Sequence, residues 1–304
     1  MEFQSDPGLD AVMRERRQLI NLAYRLLGSL ADAEDVVQET YARWYALPRR
    51  QRDAIASPGG WLTTVAGRIC LDLLGSARAR RERYVGAWLP EPLPDRAEWG
   101  GAGAGDPADR VSLDESVGMA FLVVLDAMTP AQRVAFVLHD VFRYSFAEVA
   151  EIVGRTPVAC RQLASAARRR VRETRATAAP AARHADLVRA FRQAWEAQDI
   201  DALVGLLAPD ATATGDGGGR ARAELHPVVG AERIARFYAD RPAAASGVEL
   251  LECTVNGEPG LVTRLDGVTV SVLAFDVVDD RIQRIWAVLN PDKLRPWTVV
   301  AVTP

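Results

Sequence analysis

Residues 84–111 constrain the fold most, because this segment can form neither a regular helix nor the middle of a sheet. It holds five glycines and four prolines, and proline lacks the backbone donor that both structures need. The chain is therefore expected to divide here. Within it, Trp88-Leu89-Pro90-Glu91-Pro92-Leu93 is apolar and stiff, so it is either a proline-rich spacer that packs locally or a docking strip for another domain.

The part before this segment, residues 9–83, carries apolar residues at three- and four-residue spacing, which predicts amphipathic helices. Gly28 suits a helix end, and Asp32 is expected to cap a second helix. Ser57-Pro58 is typical of the start of a third helix. That helix has Trp61 near its start and continues into a basic cluster, which consists of Arg78, Arg80, Arg81 and Arg83.

The second predicted helix is unusually acidic at its beginning. Its acidic residues are Asp32, Glu34, Asp35 and Glu39. The helix dipole accounts for acids in a first turn, but such a cluster repels DNA and instead suits a basic partner protein.

Residues 112–176 contain repeated helix starts and stops. Ser112 with Glu115 and Ser145 with Glu148 have the spacing of capping boxes, and Thr129-Pro130 and Thr156-Pro157 are also helix starts. Gly154 permits a tight turn between a short helix and a long one. This order predicts a helix-turn-helix.

The long helix of this motif is rich in arginine, with seven arginines and one acid from Arg155 to Arg175. It is either a solvated basic helix or a DNA-binding helix, and the helix-turn-helix spacing favours the second. Arg161, Gln162 and Ser165 lie near its start, where side chains reach base edges. We expect phosphate contacts from Arg168, Arg169 and Arg172.

The periodicity changes after an alanine-rich tether near residues 176–182. Two helices, at about 183–197 and 199–207, precede stretches in which apolar and polar residues alternate. Asn256-Gly257, Asp266-Gly267 and Asp279-Asp280 stand between these stretches as hairpin turns. The pattern predicts an α+β domain with a curved antiparallel sheet.

Other classes of protein are disfavoured by composition. Three cysteines and three histidines lie far apart, which fits neither a disulfide framework nor a metal site. No apolar run is long enough to span a bilayer, and the amino terminus does not resemble a signal peptide. We therefore expect a cytoplasmic protein without metal or cofactor.

Three segments follow one another along the chain: Tyr24 to Thr40, Trp61 to Ala66 before a basic helix, and the helix-turn-helix at 145–170. They resemble, respectively, the parts of extracytoplasmic-function (ECF) sigma factors that bind the β′ clamp helices of RNA polymerase, read the −10 element and read the −35 element. Three further motifs resemble those of the ECF subgroup with a fused C-terminal SnoaL-like domain. They are Trp88-Leu89-Pro90-Glu91-Pro92, Asp216-Gly217-Gly218-Gly219-Arg220 and Asn290-Pro291-Asp292-Lys293.

The resemblance implies a multidomain chain with two all-α sigma domains followed by an α+β domain. It implies a sigma-2 domain at 1–83, the linker at 84–111, a sigma-4 helix-turn-helix domain at 112–176 and a SnoaL-like (NTF2-like, cystatin-like or ketosteroid-isomerase-like) domain at 183–304. The implied partners are core RNA polymerase, through its β′ clamp helices and β flap, and promoter DNA. The C-terminal domain would contact the sigma core and regulate it in cis, in a chain that is monomeric when free.

The resemblance also assigns residues to these roles. The polymerase-binding set is Asp32, Glu34, Asp35, Gln38 and Glu39. The −10 set is Trp61, Arg78, Arg80 and Arg81. The −35 set is Arg155, Thr156, Arg161, Gln162, Ser165, Arg168 and Arg169. The interdomain set comprises the three subgroup motifs, in which Arg220 replaces the usual lysine.

Two other functions are considered. One is a one-component helix-turn-helix regulator whose C-terminal domain senses a small molecule. The other is an enzyme using Asp210 or His226, because such folds can enclose a pocket in which these groups move protons. No pair of catalytic residues is placed by spacing, and a plain regulator needs neither the acidic helix nor the tryptophan-and-arginine segment. The sigma factor is therefore the favoured hypothesis, and we expect no enzymatic activity.

Overall fold

The computed structural model describes residues 7–81, 84–94, 118–175, 181–241 and 247–297. The chain forms two compact units. The first comprises Met1–Glu82 with Val124–Glu173, and the second comprises Arg83–Val123 with Thr174–Pro304. Within the described residues, no helix is both long and apolar enough to cross a membrane.

The first unit begins with a helical bundle. Its helices are α1 (Pro7–Leu27), α2 (Leu30–Ala46), the short α3 (Arg49–Asp53) and α4 (Pro58–Arg81). Helices α1, α2 and α4 pack against one another. The residues buried on these faces include Leu19, Leu22, Leu26, Val36, Val37, Leu62, Ala66 and Cys70.

The start of α2 differs from the sequence prediction, because Ser29 rather than Asp32 is the N-cap. The Ser29 hydroxyl accepts a hydrogen bond from the Asp32 backbone N–H at 3.2 Å. Asp32 instead lies in the first turn, where its charge complements the helix dipole. The predicted start of α4 is confirmed, since Ser57 Oγ accepts from the Gly60 N–H at 3.2 Å.

The helix-turn-helix is confirmed. Its region contains α5 (Met119–Asp126), α6 (Pro130–Phe136), a π-helical turn (Val137–Val141), α7 (Phe146–Val153) and α8 (Pro157–Arg175). Ser145 and Glu148 form the expected capping box of α7, and Gly154 turns the chain with φ of 69°. A second box pairs Thr129 with Gln132. The predicted box of Ser112 and Glu115 lies outside the described residues.

The second unit contains the α+β fold. Its elements are α9 (Ala181–Glu196), α10 (Ile200–Leu206), β1 (Leu207–Asp216), β2 (Val228–Val229), α11 (Ala231–Ala239), β3 (Val248–Val255), β4 (Glu258–Leu265), β5 (Val268–Val278), β6 (Arg281–Val288) and a 3₁₀ turn (Arg295–Trp297). The sheet order is β2-β1-β6-β5-β4-β3. Strands β1 and β6 are parallel, and the other pairs are antiparallel. The sequence analysis missed β1, β2 and α11.

The three predicted hairpin turns are present. Both residues of each turn have positive φ, from 48° to 79°, as turns between right-twisted strands require. These turns set the register of β3 to β6, so that alternate residues face opposite sides of the sheet.

Both faces of this sheet are covered. One face packs against the helices and buries Phe191 of α9, Tyr238 of α11 and Phe275 of β5. The other face packs against the linker, the start of α5 and the C-terminal turn. That outer layer comprises Leu89, Met119, Val255, Val262, Val272, Ala274, Trp286, Val288, Leu294 and Trp297. The described part of the linker, residues 84–94, therefore contributes to the second unit's core.

Candidate functional site

The acidic residues of α2 form a solvent-facing surface on the first unit. Val36, Val37 and Thr40 are buried on the opposite side of the helix. Asp32 is half-buried at one end of the surface, and Glu39 pairs with Arg43 at 2.8 Å. The exposed members are Glu34, Asp35, Gln38 and Glu39. The structure thus brings the predicted polymerase-binding residues together on one accessible face.

The predicted −10 residues are only partly described. Trp61 is half-buried, and its ring packs against Trp44 with centroids 5.2 Å apart. It therefore contributes to the packing between α2 and α4. The side chains of Arg78, Arg80 and Arg81 lie outside the described residues, although the backbone of α4 reaches Arg81.

The predicted −35 residues lie along α8 and the turn before it. Thr156 caps the helix, because its hydroxyl accepts from the Ala159 N–H at 3.2 Å. The Arg161 guanidinium lies 5.4 Å from the ring centroid of Phe146 in α7. The exposed members of the set are Arg155, Thr156, Arg161, Gln162, Ser165 and Arg169. One basic face of the helix is therefore open to a ligand.

Arg168 differs from its neighbours because it points toward the π-helical turn. Its Nε lies 2.7 Å from Asp140 Oδ1, and its side chain is 36% exposed. Burial raises the pKa of Asp140, while the Arg168 charge acts in the opposite direction. The pair ties α8 to the π-helical turn, so Arg168 holds α8 in this conformation.

The first unit packs its two helical regions tightly together. Tyr144 Oη donates to Thr63 Oγ1 of α4 at 2.8 Å, and the buried Arg133 Nη1 donates to the Leu26 carbonyl at 2.8 Å. Arg68 of α4 donates to the Glu151 carbonyl of α7 at 3.0 Å. Sequence reasoning did not find these contacts, because no periodic pattern marks them.

In the second unit, Asp216 is the centre of a buried polar cluster. Its side chain is fully buried. Its Oδ1 accepts from Tyr84 Oη at 2.6 Å, and its Oδ2 accepts from the Leu89 N–H at 2.9 Å. Lys293 Nζ donates to the same Oδ2 at 2.6 Å. We call Tyr84, Trp88, Leu89, Asp216, Asn290 and Lys293 the linker clasp, because they join all three subgroup motifs.

Lys293 has several partners in the linker clasp. Its ammonium also donates to the Leu89 carbonyl and lies 4.2 Å from the ring centroid of Trp88. Asn290 Nδ2 donates to Tyr84 Oη at 2.8 Å. Burial of the phenol is the main cause that raises the pKa of Tyr84 above its ordinary value, and the hydrogen bond to Asp216 is the second cause. The phenol therefore remains a hydrogen-bond donor.

The glycine motif after Asp216 fits closely against its surroundings. A Cβ on Gly217 would meet the Ala221 carbonyl oxygen, and one on Gly218 would meet the Asn290 side chain. Gly218 and Gly219 also have positive φ. Arg220 ends the motif with an exposed ion pair to Asp292 at 2.8 Å. The motif is thus a closely packed turn rather than an open surface loop.

The linker continues across the outer layer of the sheet. Leu93 exchanges two hydrogen bonds with Asn256, through its N–H at 3.0 Å and its carbonyl at 2.8 Å. Trp297 Nε1 donates to the Pro92 carbonyl at 2.8 Å. The segment therefore packs on the sheet of the second unit, and its role as a docking strip for another domain stays a prediction.

The two residues considered for catalysis are not brought together into a site. Asp210 is exposed and accepts from Gln283 Nε2 at 3.0 Å, and His226 is also exposed. In the part of the chain that the structure describes, no three potential ligand residues cluster as a metal would require.

Family models match the three parts of the chain: sigma-70 region 2 at residues 11–80, sigma-70 region 4 at 118–171 and a SnoaL-like domain at 188–285. Over 294 residues the chain is 41% identical to "ECF RNA polymerase sigma factor SigJ" of Mycobacterium tuberculosis, covering 91% of this chain and 90% of that protein. The chain belongs to the ECF sigma factors.

Other comparisons agree with this family. The chain is 35% identical to a "Probable ECF RNA polymerase sigma factor SigI" of Mycobacterium tuberculosis over 96% of its length and 97% of the relative's. The crystal structure of SigJ matches it with a TM-score of 0.73 and 38% identity, covering 97% of this chain and 100% of that one. The expected ECF fold, with two helical sigma domains and a C-terminal SnoaL-like domain, is confirmed.

Proposed function

We propose that this ECF sigma factor recruits core RNA polymerase through the acidic face of α2 and directs it to promoters through α4 and α8. The observation that carries the proposal is the presence, in one compact unit, of an exposed acidic face on α2 and an exposed basic face on α8. The acidic face suits a basic protein surface, and the basic face suits the major groove.

The geometry of α8 supports the proposed −35 contacts. Arg161, Gln162 and Ser165 are exposed near the start of the helix, where side chains reach base edges. Arg169 is exposed further along and is placed to neutralise a phosphate. Arg168 positions the helix through Asp140.

The packed first unit represents a closed state. Elements at −10 and −35 are roughly 25 base pairs apart, or about 85 Å along B-DNA at 3.4 Å per base pair. Here α4 and α7 are joined by the hydrogen bond from Arg68 to the Glu151 carbonyl. The two regions must therefore separate before both elements can be bound at once. Binding to polymerase drives this opening by favouring the open state.

The second unit holds both ends of the connection between the sigma regions. Leu89 follows the first region, Met119 begins the second, and both lie in the outer layer of the same sheet. While Leu89 and Met119 both remain in this outer layer, the two ends of the segment that connects the sigma regions stay close together. We infer that the C-terminal domain regulates the sigma core in cis by restraining its opening, and that the linker clasp stabilises this restraint.

Holoenzyme assembly tests the proposal. Labelled full-length chain is titrated with core polymerase, beside a variant with Glu34→Gln and Asp35→Asn and a control with Asp201→Asn, an exposed residue of α10. The double variant is expected to weaken binding about tenfold or more, with a smaller salt dependence, while the control is unchanged. Equal binding by all three proteins would exclude α2 as the polymerase surface.

The one-component regulator is not favoured by any observation. The acidic face of α2 has no role in such a protein, and the relatives with high coverage are sigma factors by name. No catalytic role is assigned to the SnoaL-like domain.

A further inference from the structure

A large apolar side chain is exposed at the start of α8. Val158 is 62% exposed, more than any other large apolar side chain among the described residues. It lies in the first turn of the helix, after the cap at Thr156. Valine is a poorer helix former than alanine, because its branched side chain loses rotamer freedom in a helix. Neither packing nor helix stability therefore accounts for a valine at this position.

Val158 lies on the same face of α8 as the residues proposed to contact the −35 element. Positions three, four, seven and eleven residues further along a helix lie on the same side of it. The exposed residues at these intervals after Val158 are Arg161, Gln162, Ser165 and Arg169. The opposite side of the helix is buried through Cys160, Ala164 and Ala167. Val158 is thus the apolar member of an otherwise polar and basic face.

An apolar group on this face matches one feature of the major groove. Thymine presents its C5 methyl group there, whereas guanine, adenine and cytosine present hydrogen-bond donors and acceptors. A valine packed against the thymine methyl group removes apolar surface from water. A valine packed against a donor or an acceptor leaves that polar group without a partner. Val158 therefore favours thymine over the other three bases.

Arg161 indicates where this thymine lies. Its guanidinium lies 5.4 Å from the ring centroid of Phe146, and Val158 precedes it by three residues. That separation is about 4.5 Å along the helix axis, at about 1.5 Å per residue. Successive base pairs of B-DNA are about 3.4 Å apart. The thymine is therefore expected within two base pairs of the one that Arg161 contacts.

A protein surface is the competing partner for an exposed valine. The charge around Val158 distinguishes the two partners, because Arg155 to Arg175 contains seven arginines and one acid. Such a surface attracts a polyanion. An apolar side chain in the middle of it is brought against DNA whenever the arginines are.

We propose that Val158 is a specificity-determining residue, which contacts the C5 methyl group of a thymine in the major groove of the −35 element. The inference rests on the proposed function, in which α8 contacts this element. It adds an apolar contact to a predicted −35 set that consists of polar and charged residues.

The test is selection from a promoter pool with a randomised −35 element by holoenzyme that contains the full-length chain. We expect the native chain to enrich thymine at one position, within two base pairs of the position whose preference Arg161→Ala loses. Val158→Ala should lose that enrichment. Replacing this thymine by deoxyuridine, which lacks only the methyl group, should weaken binding by the native chain about fourfold, the effect of one buried methyl group. The same replacement should leave binding by Val158→Ala unchanged.

Val268→Ala is the matched control, because Val268 is similarly exposed, at 59%, but begins β5 in the second unit. Alanine favours helices, so Val158→Ala is expected to keep the fold, and thermal unfolding verifies this.

The proposal is overturned if no thymine is enriched, if Val158→Ala enriches it equally, or if deoxyuridine weakens both proteins alike. If the chain recruits no polymerase, the selection is repeated with the full-length chain alone under the same criteria. A thymine preference that depends on Val158 in that experiment would retain the contact and reject the sigma function.

Discussion

Lys293 and Asp216 form an ion pair of 2.6 Å in which the aspartate side chain is fully buried and the lysine side chain is 10% exposed. Lys293 is the only lysine in the sequence; the other 36 basic residues are arginines. The site requires a compact donor, because the ammonium lies between Asp216, the Leu89 carbonyl and the Trp88 ring. This pair connects the C-terminal domain to the linker.

We expect Lys293→Ala to destabilise the protein by about 3–5 kcal/mol, because it leaves the Asp216 charge buried without its cation. Lys293→Arg should also destabilise it, since the wider guanidinium does not fit the same space. Urea unfolding followed by tryptophan fluorescence measures both. Arg220→Ala serves as the control, because its pair with Asp292 is exposed and contributes about 0–1 kcal/mol. Equal losses for Lys293→Ala and Arg220→Ala would be inconsistent with a central role for the buried pair.

The glycine turn provides a second test. Gly218 has φ of 57°, and a Cβ there would meet the Asn290 side chain. Gly218→Ala is therefore expected to cost about 1–3 kcal/mol and to disturb the linker clasp. Gly205→Ala in α10, where no atom lies near the added carbon, should be neutral or stabilising by about 0.5–1 kcal/mol. Calorimetry of both variants checks the difference, and an unaltered melting temperature for Gly218→Ala would contradict it.

The closed state predicts an effect of Tyr144→Phe. This change removes the hydrogen bond to Thr63, which contributes about 0.5–1.5 kcal/mol, so the open population should rise about two- to thirteenfold. Fluorophores on α4 and α8 would report the distance between the two regions. Ser76→Ala on α4 is the control, because among the described residues the Ser76 hydroxyl donates to the Leu73 carbonyl of its own helix. A distance distribution unchanged by Tyr144→Phe would show that this contact does not hold the closed state.

DNA readout is tested by comparing two arginines of α8. Arg161→Ala is expected to lose about 1–3 kcal/mol on promoters with the preferred −35 base and little on others. Arg169→Ala should weaken all promoter sequences to a similar extent, as a phosphate contact does. Binding of holoenzyme to a set of −35 variants distinguishes these outcomes. A uniform loss for Arg161→Ala would reassign it to the phosphate backbone.

His184 predicts a pH dependence of stability. Its ring is buried, its Nε2 makes no hydrogen bond within the described residues, and burial lowers its pKa. As pH falls below about 6.5, the unfolded chain takes up the proton before the folded chain does, so that the free energy of unfolding decreases. His184→Leu should remove this part of the acid dependence. The comparison requires unfolding curves from pH 7 to pH 5, and parallel curves for both proteins would count against the prediction.

The helix caps and tight turns that depend on a few neighbouring residues were predicted well. Ser145 with Glu148, Gly154 and the three hairpin turns each act over a few neighbouring residues, so the sequence identifies them. Strand β1 was missed because Leu207–Asp216 contains three alanines and no β-branched residue except threonine, which is a weak strand pattern. Its position is fixed by pairing with β6, far along the chain.

The candidate site likewise contains residues that the sequence could group together and contacts that it could not reveal. The acidic residues of α2 lie together on one face of that helix, and the exposed basic residues of α8 lie together on one face of theirs, because their spacing matches the helical period. The linker clasp joins Tyr84 to Asp216 and Asn290 across more than a hundred residues, and spacing cannot reveal such contacts. The subgroup motifs indicated which segments matter, but the roles of Tyr84 and of the Lys293 ammonium required the fold.

Run-off transcription with core RNA polymerase tests the central claim most directly, namely that this chain is a sigma factor whose C-terminal domain restrains its opening. Full-length chain is compared with a variant in which Gly217, Gly218 and Gly219 are replaced by alanine and with the Gly205→Ala control. We expect promoter-specific transcripts from all three, with faster initiation by the triple variant because its linker is released. Failure of every form to initiate would contradict the sigma function, and slower initiation by a folded triple variant would contradict the restraint.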